Sequence, residues 1–149
     1  MGLDVDIKHF DELTLLELHG LLALRSRVFV VEQQITEVPE VDGEDKNGHH
    51  VIACVDGEII GTVRMLLERN PVKVGRVAVD KAWRGRGVGG AMMDAAGEFL
   101  GDRPAKLHAQ SHLEGWYEAL GWWRGGDNFE IVGIDHVPMY WPPEEAPSA

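Results

Sequence analysis

The sequence predicts a single mixed domain of strands and helices, in the α/β (α+β) class. A strand, a glycine-rich turn and a helix follow one another between Lys73 and Leu100. Earlier in the chain, two β-branched runs are joined by Asp56-Gly57, and a segment with a helical apolar stripe covers Leu13–Val31. The 149 residues match the usual length of one domain.

The first part of the chain predicts a strand, a helix and a loop. Residues 3–10 alternate loosely between apolar and polar side chains, as strands do. Thr14 and Glu17 form a capping box, in which each side chain satisfies a free backbone N–H at the start of a helix. The predicted helix buries a stripe made of Leu15, Leu18, Leu22 and Phe29, helped by Leu21 and Leu24. Residues 32–47 are polar and mostly acidic, and predict a loop.

The β-branched runs at residues 50–55 and 58–67 predict a hairpin, because Asp-Gly tolerates the positive φ angles of a type I′ turn. The remaining predicted elements are strands at Val74–Val79 and Ala105–Gln110, helices at Val88–Leu100 and Leu113–Leu120, and strands at Glu130–Gly133 and Asp135–Tyr140. We predict that residues 1–141 form the domain and that residues 142–149 are a disordered tail.

The charge of the chain bears on its partners. The formal net charge is -11, from 25 acidic and 14 basic residues. Such a surface repels nucleic acid and anionic membranes, and it attracts cations such as a protonated amine. An acidic surface that only aids solubility explains the same balance. We therefore expect no nucleic-acid partner, while a homodimer stays an open alternative.

Other features indicate where the protein works. No apolar run approaches the ~20 residues of a membrane span, and the first residues lack the pattern of a signal peptide. The single cysteine, Cys54, cannot form an internal disulfide. A reducing, cytoplasmic location is the simplest expectation.

The glycine-rich turn at residues 84–90 (RGRGVGG) indicates an anion site. Glycines allow a ligand to approach the backbone closely. The first N–H groups of the following helix have no partner within it, and the helix dipole adds positive charge there. Arg84 and Arg86 strengthen the site if their side chains point inward. The P-loop pattern is absent, since no Lys-Ser or Lys-Thr follows the glycines.

A dinucleotide-binding pattern is present in letters but in the wrong context. Gly85, Gly87 and Gly90 fit G-x-G-x-x-G. However, residues 80–84 separate the predicted strand from the first glycine, and the next predicted strand ends in Gln110 rather than an acidic residue. We discount this alternative.

The same turn, read as Arg84-x-x-Gly87-x-Gly89, resembles the pyrophosphate loop of the GNAT superfamily of N-acetyltransferases, which binds acetyl-coenzyme A. The run from Trp116 to Trp122 resembles that family's Leu-Tyr-x-x-x-Gly-Phe segment. Further segments resemble the ElaA-like branch: ALRSRVFVVEQ (23–33), EVDGED (40–45), KLHAQSHLEGWYEALGW (106–122) and IDHVPM (134–139). One departure is Gly133-Ile134-Asp135-His136, where the family often has Gly-Ile-Pro-His.

The resemblance implies a fold and an activity. The fold would be a mixed, mostly antiparallel central sheet with helices on both faces, splayed between its two central parallel strands. The activity would be direct transfer of acetyl from acetyl-coenzyme A, as co-substrate, to a primary amine on a small molecule or peptide. A non-catalytic acyl-coenzyme A sensor is the competing interpretation.

The resemblance also implies roles for individual residues. Tyr117 would protonate the departing thiolate, and Gln110 would contact the pantetheine arm at a position where the family commonly has asparagine. The backbone of Val77, Ala78 and Val79 would bond to pantetheine. The pyrophosphate would lie on Arg84, Gly85, Arg86, Gly87, Val88 and Gly89.

The general base is less defined by the sequence. Glu32 is our preferred candidate, His112 and His136 are others, and water alone could carry the proton. We expect no metal, because His49 and His50 are adjacent on a strand and point to opposite faces. The acidic segment Glu37–Asp45 fits either a collector of cationic acceptors or, more simply, a solvated loop.

Overall fold

The protein is a mixed eight-stranded sheet with three α-helices, seen in a computed structural model that describes residues 2–147. The strands are β1 (Leu3–His9), β2 (His49–Val55), β3 (Glu58–Leu66), β4 (Val72–Val79), β5 (Ala105–Gln110), β6 (Trp123–Arg124), β7 (Phe129–Ile131) and β8 (Ile134–Trp141). The helices are α1 (Leu15–Arg25), α2 (Val88–Leu100) and α3 (Glu114–Ala119). The predicted fold class is confirmed.

The sheet order is β1-β2-β3-β4-β5-β8-β6, and β7 pairs with β8. Every pair is antiparallel except β4 with β5. Alternate residues of β2 define the two covered faces: Val51 belongs to the core under α2, whereas Ile52 packs with Leu21 and Leu24 of α1. Helices therefore cover both faces of the sheet, as predicted.

The two central parallel strands separate after a short contact. Their register joins Val72 to Ala105 and Lys73 to Lys106 only. Further along β4, the pairing with β3 shifts register and Arg76 takes a φ of 51°. A bulge of this kind bends the strand that carries it. The bend accompanies the divergence of β4 from β5, which leaves a gap in the middle of the sheet.

The first helix begins as predicted and ends differently. Thr14 and Glu17 make both bonds of the capping box. From Ser26–Glu32 the chain is π-helical, and the N–H of Gln33 bonds the carbonyl of Val28 at 3.1 Å. The wider turn changes which side chains face the sheet.

The predicted apolar stripe of this helix is wrong at its first position. Leu15, the first residue of α1, is 86% exposed. Leu21 and Leu24, which we placed beside the stripe, are fully buried.

The hairpin of β2 and β3 turns at Asp56-Gly57 with φ angles of 51° and 78°, as predicted. The short strand β6 was not predicted. Pro143–Glu145 forms one 3₁₀ turn, and residues 148 and 149 lie outside the described part of the chain, so the disordered tail stays a prediction. Within residues 2–147, no helix is both long and apolar enough to cross a membrane.

Candidate active site

The gap between β4 and β5 opens into a cavity of about 600 Å³. Its walls come from both strands, from the segment that follows the π-helical turns, from the β7–β8 hairpin and from α3. Four of the residues named from the sequence line it: Val77, Gln110, Tyr117 and the candidate base His136. The glycine-rich turn lies outside this lining.

Tyr117 reaches the cavity from α3, which follows β5 after one 3₁₀ turn. The residue is only 5% exposed, and its ring meets the edge of Trp116 with centroids 4.9 Å apart. Burial raises the pKa of the Tyr117 hydroxyl to about 12. The phenol therefore stays protonated at neutral pH and is available as a donor inside the cavity.

Gln110 ends β5 and contacts the opposite wall. Its Nε2 donates to Oε1 of Gln33 at 3.0 Å. Gln33 follows the π-helical segment, so this bond joins the first helical region to β5 across the gap. The amide that we expected to contact pantetheine is thus held by Gln33 in this structure.

The glycine-rich turn has the backbone that an anion site needs. Gly85 and Gly87 have φ angles of 76° and 82°, a conformation that other residues adopt at a cost. Gly87 is the N-cap of α2, and Ala91 makes the first intrahelical bond, to the Gly87 carbonyl at 3.0 Å. The preceding N–H groups, from Val88 to Gly90, have no such partner within the helix.

Helix α2 packs closely against the residue next to Tyr117 at Gly89. A Cβ placed on Gly89 would lie 3.0 Å from the ring of Trp116, the residue next to Tyr117. Any side chain at this position would push α2 and α3 apart. Close packing at Gly89 therefore fixes the glycine-rich turn relative to Tyr117.

The arginines of the turn are engaged elsewhere in this structure. Arg84 donates from Nε to the Val79 carbonyl at 3.0 Å, and its two terminal nitrogens bind the Glu32 carboxylate at 2.8 and 2.9 Å. The guanidinium of Arg86 lies over the Trp83 ring, 4.9 Å from its centroid. Positive charge at the turn is thus partly neutralised by Glu32. The Val79 carbonyl already accepts a hydrogen bond from Arg84.

The predicted bases occupy different surroundings. A hydrogen bond from Arg84 holds the pKa of the Glu32 carboxyl below its usual value, and Glu32 does not line the cavity. His112 is exposed on the turn before α3 and lies outside the lining as well. His136 lines the cavity, with Nδ1 2.7 Å from the Ile134 carbonyl. A carbonyl only accepts, so Nδ1 carries the proton and Nε2 of the neutral ring is the basic nitrogen.

The acidic segment beside the cavity is mostly exposed, as expected of a solvated loop, but arginines anchor several of its carboxylates. Arg25 is fully buried and binds Glu40 Oε2 at 2.8 Å and Asp45 Oδ1 at 2.7 Å. Arg76 reaches the same Glu40 oxygen at 2.7 Å. The carboxylates here are therefore partners of buried or half-buried cations and are not free to collect a cationic acceptor.

Arg64 completes this charge network from β3. It binds both oxygens of Asp42, at 2.9 and 3.0 Å, and Oδ1 of Asp45 at 3.2 Å. Burial opposes ionisation of both aspartates, but the hydrogen bonds and charges of their arginine partners outweigh it, so both pKa values lie below the usual one.

These lowered pKa values predict an acid-sensitive fold. A carboxyl whose pKa is depressed by folding adds stability above its unfolded value, near 3.8 for Asp42 and Asp45, and that stability is lost as the pH falls below it. We expect the contribution of these two aspartates to the free energy of unfolding in urea to be fully present at pH 5 and to be lost as the pH falls below 4. This assignment would be contradicted if the free energy of unfolding fell no more steeply with decreasing pH in the wild type than in Asp42→Asn.

The fold and the cavity define a class of protein. A family model described as "Acetyltransferase (GNAT) domain" matches residues 19–142, and the chain belongs to this family of acyltransferases. Among curated proteins, it is similar to ElaA of Escherichia coli, with 35% identity over 140 residues that cover 88% of this chain and 91% of ElaA.

Solved structures of related proteins share this fold. The crystal structure of E. coli ElaA aligns with a TM-score of 0.83 and 31% identity, over 93% of this chain and 98% of that one. An acyl-CoA N-acyltransferase from Pseudomonas aeruginosa aligns with a TM-score of 0.82 and 36% identity, over 92% and 98%. An aminoglycoside 6'-N-acetyltransferase complexed with coenzyme A shares the fold alone, at 13% identity and a TM-score of 0.71 over 96% of this chain and 99% of that one.

The sequence did not indicate several residues around the cavity. Gln33 and the three arginines of the charge network lie far from their partners in the chain. Lys73 and Lys106 also line the cavity, and only the parallel pairing of β4 with β5 brings them together. The sequence offered one signal for these lysines, namely that each stands in a largely apolar strand.

Proposed function

We propose that the protein transfers an acetyl group from acetyl-coenzyme A to a primary amine. The observation that carries this proposal is the gap between β4 and β5, with a protonated, buried Tyr117 on its wall and a glycine-capped helix beyond the end of β4. The family match and the P. aeruginosa acyl-CoA N-acyltransferase support the same reaction class.

Acetyl-coenzyme A would bind by its diphosphate at the start of α2. The N–H groups of Val88, Gly89 and Gly90 and the helix dipole favour negative charge there. A diphosphate would also compete with Glu32 for Arg84, whose ion pair is partly exposed and therefore weak. The pantetheine arm would then follow β4 into the gap, past Val77 and Gln110.

Transfer requires three proton or charge movements. The acceptor amine loses a proton, its nitrogen attacks the thioester carbon, and the tetrahedral oxyanion collapses as the carbon–sulfur bond breaks. Tyr117 donates its hydroxyl hydrogen to the departing sulfur as negative charge develops there. With a pKa of about 12, the hydroxyl is fully protonated before each turnover.

For the base we favour His136 over Glu32, whose catalytic role stays a prediction. His136 lines the cavity and its Nδ1–H is fixed on a backbone carbonyl, which leaves Nε2 as the acceptor. Glu32 is outside the lining, and its lowered pKa makes it a poor proton acceptor.

A matched pair of variants tests this choice. We expect His136→Gln to lower kcat by about 10²-fold, because it removes the imidazole nitrogen that accepts the proton. Glu32→Gln should keep kcat within about twofold and alter mainly the KM for acetyl-coenzyme A, since it frees Arg84. A large loss of kcat in Glu32→Gln with little loss in His136→Gln would restore Glu32 as the base, and unchanged kcat values in both variants would indicate deprotonation through water.

The reaction itself is tested by measuring release of free coenzyme A from acetyl-coenzyme A with a panel of primary amines. We expect amine-dependent release and a product heavier by one acetyl group. If the protein binds acetyl-coenzyme A but acetylates no amine in the panel, the sensor interpretation replaces the enzymatic one.

A further inference from the structure

The lining of the cavity is basic, although the protein as a whole is acidic. Four cationic side chains line the cavity, and one carboxylate, Glu40, lines it with them. The cations are Arg69, Lys73, Arg76 and Lys106. In a chain with a net charge of -11, this local excess of positive charge needs an explanation.

The two arginines are already paired, but the two lysines are not. Arg76 binds Glu40 and Asp42, and Arg69 binds Glu44. Within residues 2–147, neither Lys73 nor Lys106 has a carboxylate within 4.0 Å. The Lys106 ammonium lies 5.5 Å from the Tyr140 ring centroid.

The sheet places the lysines side by side. They are register partners on the parallel strands β4 and β5, whose backbones lie about 4.8 Å apart. Both therefore project from the same face, the one opposite Val72 and Ala105, which belong to the core under α2.

The surrounding field is positive. Burial, followed by the charges of Arg69, Arg64 and Arg76, lowers the pKa of Lys73, and Asp42 only partly offsets this. His108 lies on β5, two positions after Lys106. Burial lowers its pKa, and the charges of Lys106, Lys73 and His136 lower it further. An anion placed between the lysines would relieve this repulsion.

The lysines are too far from the glycine-rich turn to share its ligand. Lys73 is near the start of β4, and the turn follows the end of that strand. Val79 is six positions from Lys73, which is about 20 Å of strand. An anion between the lysines is therefore not the diphosphate of coenzyme A.

The lysines lie nearer the starts of the same two strands than Val77 and Gln110, past which the pantetheine arm is proposed to run. Val77 is four positions from Lys73, and Gln110 is four positions from Lys106, which is about 13 Å along each strand. The flexible lysine side chains shorten the span to about 10 Å. Apolar residues line the cavity beside this span: Ile35, Val38, Ile131, Val132 and Ile134.

We infer that Lys73 and Lys106 bind an anionic group of the acceptor, about 10 Å from the amine that is acetylated. The acceptor class is then a primary amine joined through an apolar spacer to a carboxylate or phosphate, such as a short peptide with a free C-terminus. This inference rests on the proposed function. The net charge of the chain alone indicates only that the surface attracts cations such as the amine itself.

Matched acceptors test the inference. The peptide Gly-Val-Val and its C-terminal amide share one amine and differ by one carboxylate, which lies about 10 Å away in the extended peptide. We expect kcat/KM to be at least about tenfold higher for the free acid, the value of a charge-assisted contact of about 1.4 kcal/mol. An 8-aminooctanoate, 8-aminooctyl phosphate and 1,8-diaminooctane series separates carboxylate, phosphate and cation, and the diamine should be the poorest.

Variants tie the preference to the two lysines. In the double variant Lys73→Gln, Lys106→Gln, the ratio of kcat/KM for free acid over amide should fall close to one. Lys46→Gln removes the same kind of charge from an exposed position outside the cavity, and should keep the ratio. Equal rates for acid and amide in the wild type, or an unchanged ratio in the double variant, would overturn the inference.

A binding measurement separates this inference from the proposed function. Calorimetric titration of the peptide acid and amide into the protein, with and without coenzyme A, needs no turnover. If no amine is acetylated but the acid binds more tightly and the double variant loses that difference, the anion site stands and the proposed reaction fails. If amines are acetylated but acid and amide bind alike, the reaction stands and the anion site fails.

Discussion

Tyr117→Phe is expected to lower kcat by about 10²-fold or more while the Kd for acetyl-coenzyme A stays within about twofold. The substitution removes one hydroxyl and keeps the buried ring that packs against Trp116. It therefore removes stabilisation of the departing thiolate without opening the cavity. Stopped-flow or steady-state release of coenzyme A gives kcat, and calorimetric titration gives the Kd.

The pKa of Tyr117 adds a second observable. Because the hydroxyl titrates at about 12, the wild-type pH–rate profile should show no basic limb from this group below about pH 11. Tyr140→Phe is a matched control, since it removes the same hydroxyl from the other tyrosine, on β8. Equal losses in both variants, or full turnover in Tyr117→Phe, would rule out a role for Tyr117 as the acid.

Arg25→Met is expected to lower the free energy of unfolding by about 3–5 kcal/mol at pH 7. The substitution keeps an unbranched, apolar chain in place of the arginine's aliphatic stem, but it removes the guanidinium that binds Glu40 and Asp45. These carboxylates would remain at a buried site with fewer partners, and an uncompensated buried charge is costly. Urea unfolding monitored by tryptophan fluorescence measures the loss.

The control lies two residues further along the chain. Arg27 is about half exposed, with 51% of its side chain accessible, and pairs with Asp80 at 3.1 Å. An exposed pair of this kind contributes about 0–1 kcal/mol, so Arg27→Met should cost little. If both variants lost the same small amount, the network around Arg25 would have no special part in stability.

Local sequence signals predicted the elements that carry the site. The capping box at Thr14, the Asp56-Gly57 turn and the strand–turn–helix around Gly87 each depend on a few neighbouring residues. Their physical causes, a satisfied N–H or a permitted positive φ, act within the same segment. Such features can be inferred from one sequence.

Features that depend on distant contacts could not be inferred in the same way. The π-helical turns before Gln33 and the bulge at Arg76 have no local composition that requires them. The pairing of Lys73 with Lys106 depends on the order of strands in the sheet. The engagement of Arg84 by Glu32 joins residues 52 positions apart. Tertiary structure alone determines these contacts.

The most direct measurement is a crystal structure of the protein with acetyl-coenzyme A. We predict diphosphate oxygens about 3 Å from the N–H groups of Val88, Gly89 and Gly90, with the Tyr117 hydroxyl within hydrogen-bonding reach of the thioester sulfur. A complex with the diphosphate bound away from the start of α2, or with the Tyr117 hydroxyl remote from the sulfur, would contradict the proposed mechanism.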